Sequence, residues 1–271
     1  MSKLLQRIIT AAILLVVLLV VFFRLPQSAA IGLLGAFVVL AAWEWSAFLF
    51  LKGFVSRALF TVFIVALMVG ALLAFPQRLP LLPVLTVALL WWCSAFIWVL
   101  RYPTSVRRDV TALCGVLLLL PAWVSMLALF SLPGQQGAQF VLFALSIVWA
   151  ADIGAYFVGR RLGRTKLAPK VSPGKTWEGL GGGLIAATGV ALFGSWWFGL
   201  SPLFMVPAVI SVAIISVIGD LTVSMFKRNA GLKDSGHLFP GHGGVLDRID
   251  SATAALPLFA LALFWRGLLA A

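Results

Sequence analysis

Long apolar runs alternate with short polar or basic stretches along the whole chain. A helix needs about 20 mostly apolar residues to span hydrocarbon. Nine segments meet or approach that length, near 8–23, 29–51, 55–75, 81–100, 109–132, 138–159, 180–200, 202–226 and 248–269. The strict alternation of a membrane strand is missing, which argues against a barrel. The pattern predicts an all-α, polytopic membrane protein of about nine transmembrane helices. Pro121 and Pro257 fall inside the fifth and ninth and should kink them. Residues 1–136 hold about five helices. Residues 137–271 hold the rest, with polar loops at 160–179 and 227–247.

Composition agrees. The chain is 62% hydrophobic and 10% charged, where a soluble domain carries about 25% charged residues. Its net charge of +12 would point to nucleic acid in a soluble protein, but the basic residues lie in clusters between apolar runs, as a membrane protein requires. With the N-terminus inside, 17 of the 20 Lys and Arg fall on the inner side, and only Arg24, Arg78 and Arg266 on the outer. Both polar loops are then cytoplasmic. Lys3 and Arg7 followed by apolar residues, with Ser28-Ala29-Ala30 beyond, resemble a secretory signal; the length of the apolar run favours a retained anchor. Cys93 and Cys114 sit inside apolar runs and form neither a disulfide framework nor a metal-binding spacing.

Four of the eight acids and both histidines crowd into 219–250. Asp220, Ser224 and Lys227 share one helix face at i, i+4, i+7, and Asp247 and Asp250 share another at i, i+3. The helices carrying them are joined by about 20 residues, so three carboxylates can converge at the membrane edge. Like charges 4 Å apart repel by roughly 4 kcal/mol at an effective dielectric of 20, so such a cluster calls for a cation, and hard oxygen ligands suit Mg²⁺. The plainer alternative is that Asp247 and Asp250 cap a helix and pair with Arg248. Gly241-His242-Gly243-Gly244 leads into a helix N-terminus, a site for an anion. Lys227, Arg228, Lys233 and Arg248 add positive charge. Together these describe a site for nucleotide or lipid phosphates.

The loop from Val158 to Gly179 is not a Walker A loop, because Pro169 stands where the first glycine belongs. It nevertheless lines up Arg160, Arg161, Arg164, Lys166 and Lys170 ahead of Ser172, Lys175 and Thr176. Glu44, between Trp43 and Trp45, and Asp152 are acids within spans, and such acids are functional candidates by default. The glycines of 179–183, with Ala186, Ala187 and Gly189, read as a close-packing helix face.

The run Ser224-Met-Phe-Lys-Arg, then Lys233-Asp234, then Phe239-Pro240-Gly241-His242-Gly243-Gly244-Val-Leu-Asp247-Arg248-Ile-Asp250 resembles the signature of the phosphatidate cytidylyltransferases, or CDP-diacylglycerol synthases. Asp152-Ile-Gly-Ala-Tyr and Ser172-Pro-Gly-Lys-Thr-Trp-Glu-Gly resemble two further stretches of that family. One departure is Gly174 before Lys175, where the family usually has a Lys-Lys pair. The resemblance implies the reaction of CTP with phosphatidic acid to give CDP-diacylglycerol and pyrophosphate. It also implies Mg²⁺, alone or with a second cation, and a homodimer in the inner (cytoplasmic) membrane, in contact with membrane lipid and no nucleic acid. Carried onto this chain, Asp220, Asp247 and Asp250 are expected to hold metal and, with Lys227, to be catalytic. Ser172, Lys175, Thr176, Ser224, Arg228, Lys233, Asp234, His242, Gly243, Gly244 and Arg248 are expected to contact the substrates. Two rivals are a membrane kinase that uses CTP to phosphorylate a lipid alcohol, and an ion-coupled transporter. The transporter would place acids near the midplane of repeated halves, a pattern not seen here.

Overall fold

In a computed structural model, residues 3–49, 53–75, 77–236, 238 and 243–269 are described, with the side chains of 3–11 and 14 excepted. Among them are nine α-helices: α1 (Lys3–Arg24), α2 (Gln27–Trp45), α3 (Phe54–Ala74), α4 (Leu81–Leu100), α5 (Arg108–Phe130), α6 (Gln136–Leu162), α7 (Trp177–Phe198), α8 (Pro202–Asn229) and α9 (Leu246–Trp265). Eight are long and apolar enough to cross a membrane. The other, α1, is 22 residues long, with a described apolar stretch at Leu15–Arg24. The protein is all-α and polytopic, as its apolar pattern predicts.

Two helices form the centre. Of the most apolar 18-residue stretch of α5, 78% is buried, against 17% in α3, and α9 follows α5 at 67%. The core helix α5 thus needs apolar residues all round, whereas α3 presents Leu59, Val62, Phe63 and Leu73 outward, as a helix facing lipid does. Pro121, Pro207 and Pro257 lie inside helices that continue past them.

Helices α6 and α7 pack closely, and their glycines explain it. A Cβ on Gly154 would lie 2.5 Å from the Gly182 carbonyl oxygen, and one on Gly183 2.7 Å from that of Ala151. No side chain fits in either place, so the backbones meet, as expected of the 179–183 run. A similar contact joins α8 to α9, where a Cβ on Gly219 would lie 2.8 Å from the Asp250 carbonyl oxygen.

The α6–α7 connection is not a plain loop. Lys166–Ala168 (β1) pairs antiparallel with Ser172–Thr176 (β2). Thr176 then caps α7, its Oγ1 accepting the Gly179 N–H at 3.1 Å. This ribbon ties Lys175 to the start of a helix.

Several connections meet at one end of the bundle. Trp45, at the end of α2, donates its indole N–H to the Thr111 carbonyl of α5 at 3.0 Å and lies 4.9 Å from the Phe226 ring of α8. Arg57 of α3 donates to the Ser46 hydroxyl and the Trp43 carbonyl and covers the Trp43 ring at 4.4 Å. Arg228 of α8 reaches across to the Val171 carbonyl of the ribbon.

Candidate active site

The site forms where α8, α9 and the ribbon meet at this end. Asp220 lies more than two turns before the end of α8, next to Gly219, whose missing side chain lets α9 approach. Asp220 and Asp250 are thereby brought within electrostatic reach of each other. Asp250 is buried, and its Oδ1 accepts the Ser251 N–H at 2.7 Å. Lys175 comes in from β2 and places Nζ 2.6 Å from Asp220 Oδ2. The Ser224 hydroxyl, one turn further along α8, lies 3.4 Å from Asp220 Oδ1. Asp152 of α6 and Lys227 of α8 lie within electrostatic reach of Asp220, and Arg248 lies within reach of Asp152.

Asp247 does something else. Its Oδ1 accepts from Lys227 Nζ at 2.7 Å, and both side chains are about nine-tenths buried. Its Oδ2 accepts the N–H of Ser235 at 2.9 Å and of Gly244 at 3.0 Å. Both oxygens are therefore engaged by the chain itself. Among the described residues no three of His, Cys, Asp and Glu come together in a group that would hold a metal. The expected clustering of Asp220, Asp247 and Asp250 as one group of three is thus corrected. Asp220 and Asp250 face each other, while Asp247 is drawn into the loop by fixed N–H donors and a buried lysine.

A second correction concerns the N-terminus of α9, expected to be open to an anion. It is filled from within. Glu44 of α2 is buried, its Oε1 accepting the Val245 N–H at 2.9 Å. Its Oε2 accepts the Leu246 N–H at 2.8 Å and the Ser235 hydroxyl at 2.7 Å. The Gly244 N–H goes to Asp247. The glycines serve this arrangement: a Cβ on Gly236 or Gly244 would overlap the Glu44 carboxylate, and one on Gly243 would lie 2.7 Å from Asp247 Oδ2. Gly243 also adopts φ +79°, a conformation that favours glycine. The close backbone approach read from the sequence is real, but the group approached is a carboxylate of the chain.

The remaining candidates divide. Ser172 is half-buried on β2, and Lys233, Asp234 and Arg248 are exposed around the site. Arg228 is exposed and bridges carbonyls of Val171 and Leu232. Thr176 is buried, its hydroxyl engaged in the cap of α7. His242 lies outside the described residues. Reasoning from spacing missed the partners of Glu44. The available signal was an acid inside a span between two tryptophans.

Paired acids and lysines thus gather at one end of a bundle of membrane-length helices. The chain's similarity to known proteins narrows this. Residues 5–265 match the model of the cytidylyltransferase family. The chain is 46% identical over 267 residues to a phosphatidate cytidylyltransferase of Pseudomonas aeruginosa, covering 96% of each. It is 40% identical over 287 residues to one of Haemophilus influenzae, covering 96% of this chain and 98% of that one. A phosphatidate cytidylyltransferase of Brucella suis matches at 45% over 150 residues, about half of each chain. The chain belongs to the cytidylyltransferase family.

Proposed function

We propose that the protein transfers the cytidylyl group of CTP to phosphatidic acid, releasing pyrophosphate and leaving CDP-diacylglycerol in the membrane. The observation that carries this reading is the Asp220–Asp250 pair beside Lys175 and Lys227, in a chain that matches phosphatidate cytidylyltransferases along almost its whole length.

A phosphate oxygen of phosphatidate attacks the α-phosphorus of CTP, and the bond from that phosphorus to the β-phosphate's bridging oxygen breaks. The attacking oxygen is already ionised at neutral pH, so no strong general base is needed. The residues have to bring two anions together and stabilise charge on the transferred and departing groups. Lys175 and Lys227 supply buried or half-buried cations, and Arg228, Lys233 and Arg248 an outer ring that draws CTP in. Ser172, Ser224 and Asp234 lie where they can contact the substrates. Thr176 is buried and caps α7, and in this reading it serves the construction of the ribbon.

Asp220 and Asp250 fit a magnesium ion. Mg²⁺ is commonly held by one or two carboxylates, the rest of its shell coming from substrate phosphates and water, and two facing carboxylates are that donor set. When bound, the ion would neutralise charge on the CTP phosphates. Asp247 holds Lys227 and the loop and is not a metal ligand in this reading.

The 17-to-3 distribution of basic residues supports a site on the cytoplasmic side of the inner membrane, where CTP arrives from the cytoplasm and lipid from the leaflet. The family resemblance supports a homodimer. The test is direct. Purified protein should release pyrophosphate from CTP only when phosphatidate and Mg²⁺ are both present, with CDP-diacylglycerol as the lipid product. Release of CDP with a phosphorylated lipid alcohol would instead mark a CTP-dependent kinase.

A further inference from the structure

We propose that Glu44 is a positioning residue for this site: from the N-terminal half of the chain it fixes the joint that aims Lys227 and Asp250. The inference rests on the reading of the site given above.

Glu44 is a buried carboxylate that accepts three hydrogen bonds from a segment about 200 residues away in sequence. Three donors from two chain segments on one carboxylate make a clamp. They come from both sides of the α8–α9 connection: Ser235 after α8, and Val245 and Leu246 at the start of α9. Ser235 is shared, its hydroxyl on Glu44 and its N–H on Asp247. Asp247 in turn holds Lys227 Nζ, and Asp250 follows one turn later on α9. A continuous set of contacts therefore runs from Glu44 through the joint to two groups of the site. α2 itself is held by the Trp45 indole on Thr111 and by Arg57 on Ser46 and Trp43, so the clamp has a fixed base. Gly236 and Gly244 leave room for this carboxylate.

A charged carboxylate offers acceptors on both oxygens. In Glu44→Gln one becomes an NH₂ that must face an N–H of Val245 or of Leu246, and neither orientation keeps both backbone bonds. Removing a partner that orients an active-site group commonly costs about 10- to 100-fold in metal affinity or activity.

The test uses the full-length protein in lipid nanodiscs. In Glu44→Gln, amide hydrogen exchange of the peptide spanning 243–250 should be faster than in wild type. The Mg²⁺ and CTP concentrations giving half-maximal rate should rise about 10-fold or more, with that for phosphatidate within about 2-fold; loss of folded protein alone would lower the maximal rate and leave these constants unchanged. Ser235→Ala should shift the same constants about 5-fold and add nothing in the Glu44→Gln background, because the two share one interaction. Glu44→Asp, which keeps the charge, should recover part of the loss. Wild-type exchange and half-saturation values in Glu44→Gln, or a fall in maximal rate alone, would overturn the proposal. If Glu44→Gln does not accumulate folded, Ser235→Ala decides by the same readings. A wild-type protein that makes no CDP-diacylglycerol would overturn the site reading, whereas the exchange measurement tests the clamp independently of turnover.

Discussion

Two pairs of carboxylates sit at the same end of this bundle and are treated in opposite ways. Glu44 and Asp247 are saturated by the chain: five hydrogen bonds from Ser235, Gly244, Val245 and Leu246, and one buried lysine. Asp220 and Asp250 face each other, with Lys175 on one oxygen of the first. The difference separates construction from chemistry. A carboxylate whose oxygens are met by rigid N–H donors has little left to offer a ligand. Two that confront each other keep an unmet demand for positive charge, which a substrate-borne cation can satisfy. All four are acids gathered at the same end of the bundle, and only the partners tell the two pairs apart.

Substitution should pull the two pairs apart. The largest effect is expected for Asp220→Asn and Asp250→Asn. These should lower turnover by about 1,000-fold or more, equivalent to about 4 kcal/mol, while the thermal midpoint stays near that of wild type. Variants that remain active but melt early would make this pair structural as well. Asp247→Asn should behave the other way, leaving Lys227 buried without its counter-charge at a stability cost of about 3–5 kcal/mol, read as a lower thermal midpoint in the ligand-free protein. If it instead lost only turnover, Asp247 would belong with the proposed metal ligands. Lys175→Met should raise the CTP requirement through loss of a charged contact worth about 1.5–3 kcal/mol, with folding intact. Thr176→Ala should loosen the start of α7 by about 1 kcal/mol and leave turnover within about 2-fold (about 0.4 kcal/mol,). The smallest change is expected of Gly174→Lys. Nothing lies within 4 Å of a Cβ at that position, so the side chain is accommodated, and the added cation should lower the CTP concentration for half-maximal rate slightly.

Much of the fold was legible because hydrophobic length is a local property. Each span announces itself, and the glycine run of 179–183 announces a close helix contact. The Asp220–Asp250 encounter was legible because both acids lie on helices joined by a short connection. The ribbon was not: three residues paired with five carry too little pattern, and they are held by the cap of α7. Helix ends slipped too. α8 continues to Asn229 and α6 to Leu162, beyond their apolar cores, because a helix needs no hydrocarbon around its last turn. Least legible was the duty of each acid at the α8–α9 joint. Glu44 and the amides it receives are 201 and 202 positions apart, and no periodicity spans that distance. The partners of Asp247 were not legible either, because its two donor amides and its lysine become neighbours only after the chain turns.

The contact between α2 and the start of α9 has a consequence for building hybrids of this protein. A junction in the turn between α5 and α6 divides the chain near its middle and leaves the whole signature in one piece, which makes it an inviting place to graft the C-terminal half of one relative onto the N-terminal half of another. The graft would nonetheless part the signature from the carboxylate that holds its joint, because Glu44 belongs to the other parent. Such hybrids should succeed or fail according to how well the incoming α2 presents a glutamate at the right height, whatever the likeness of the halves that carry the chemistry.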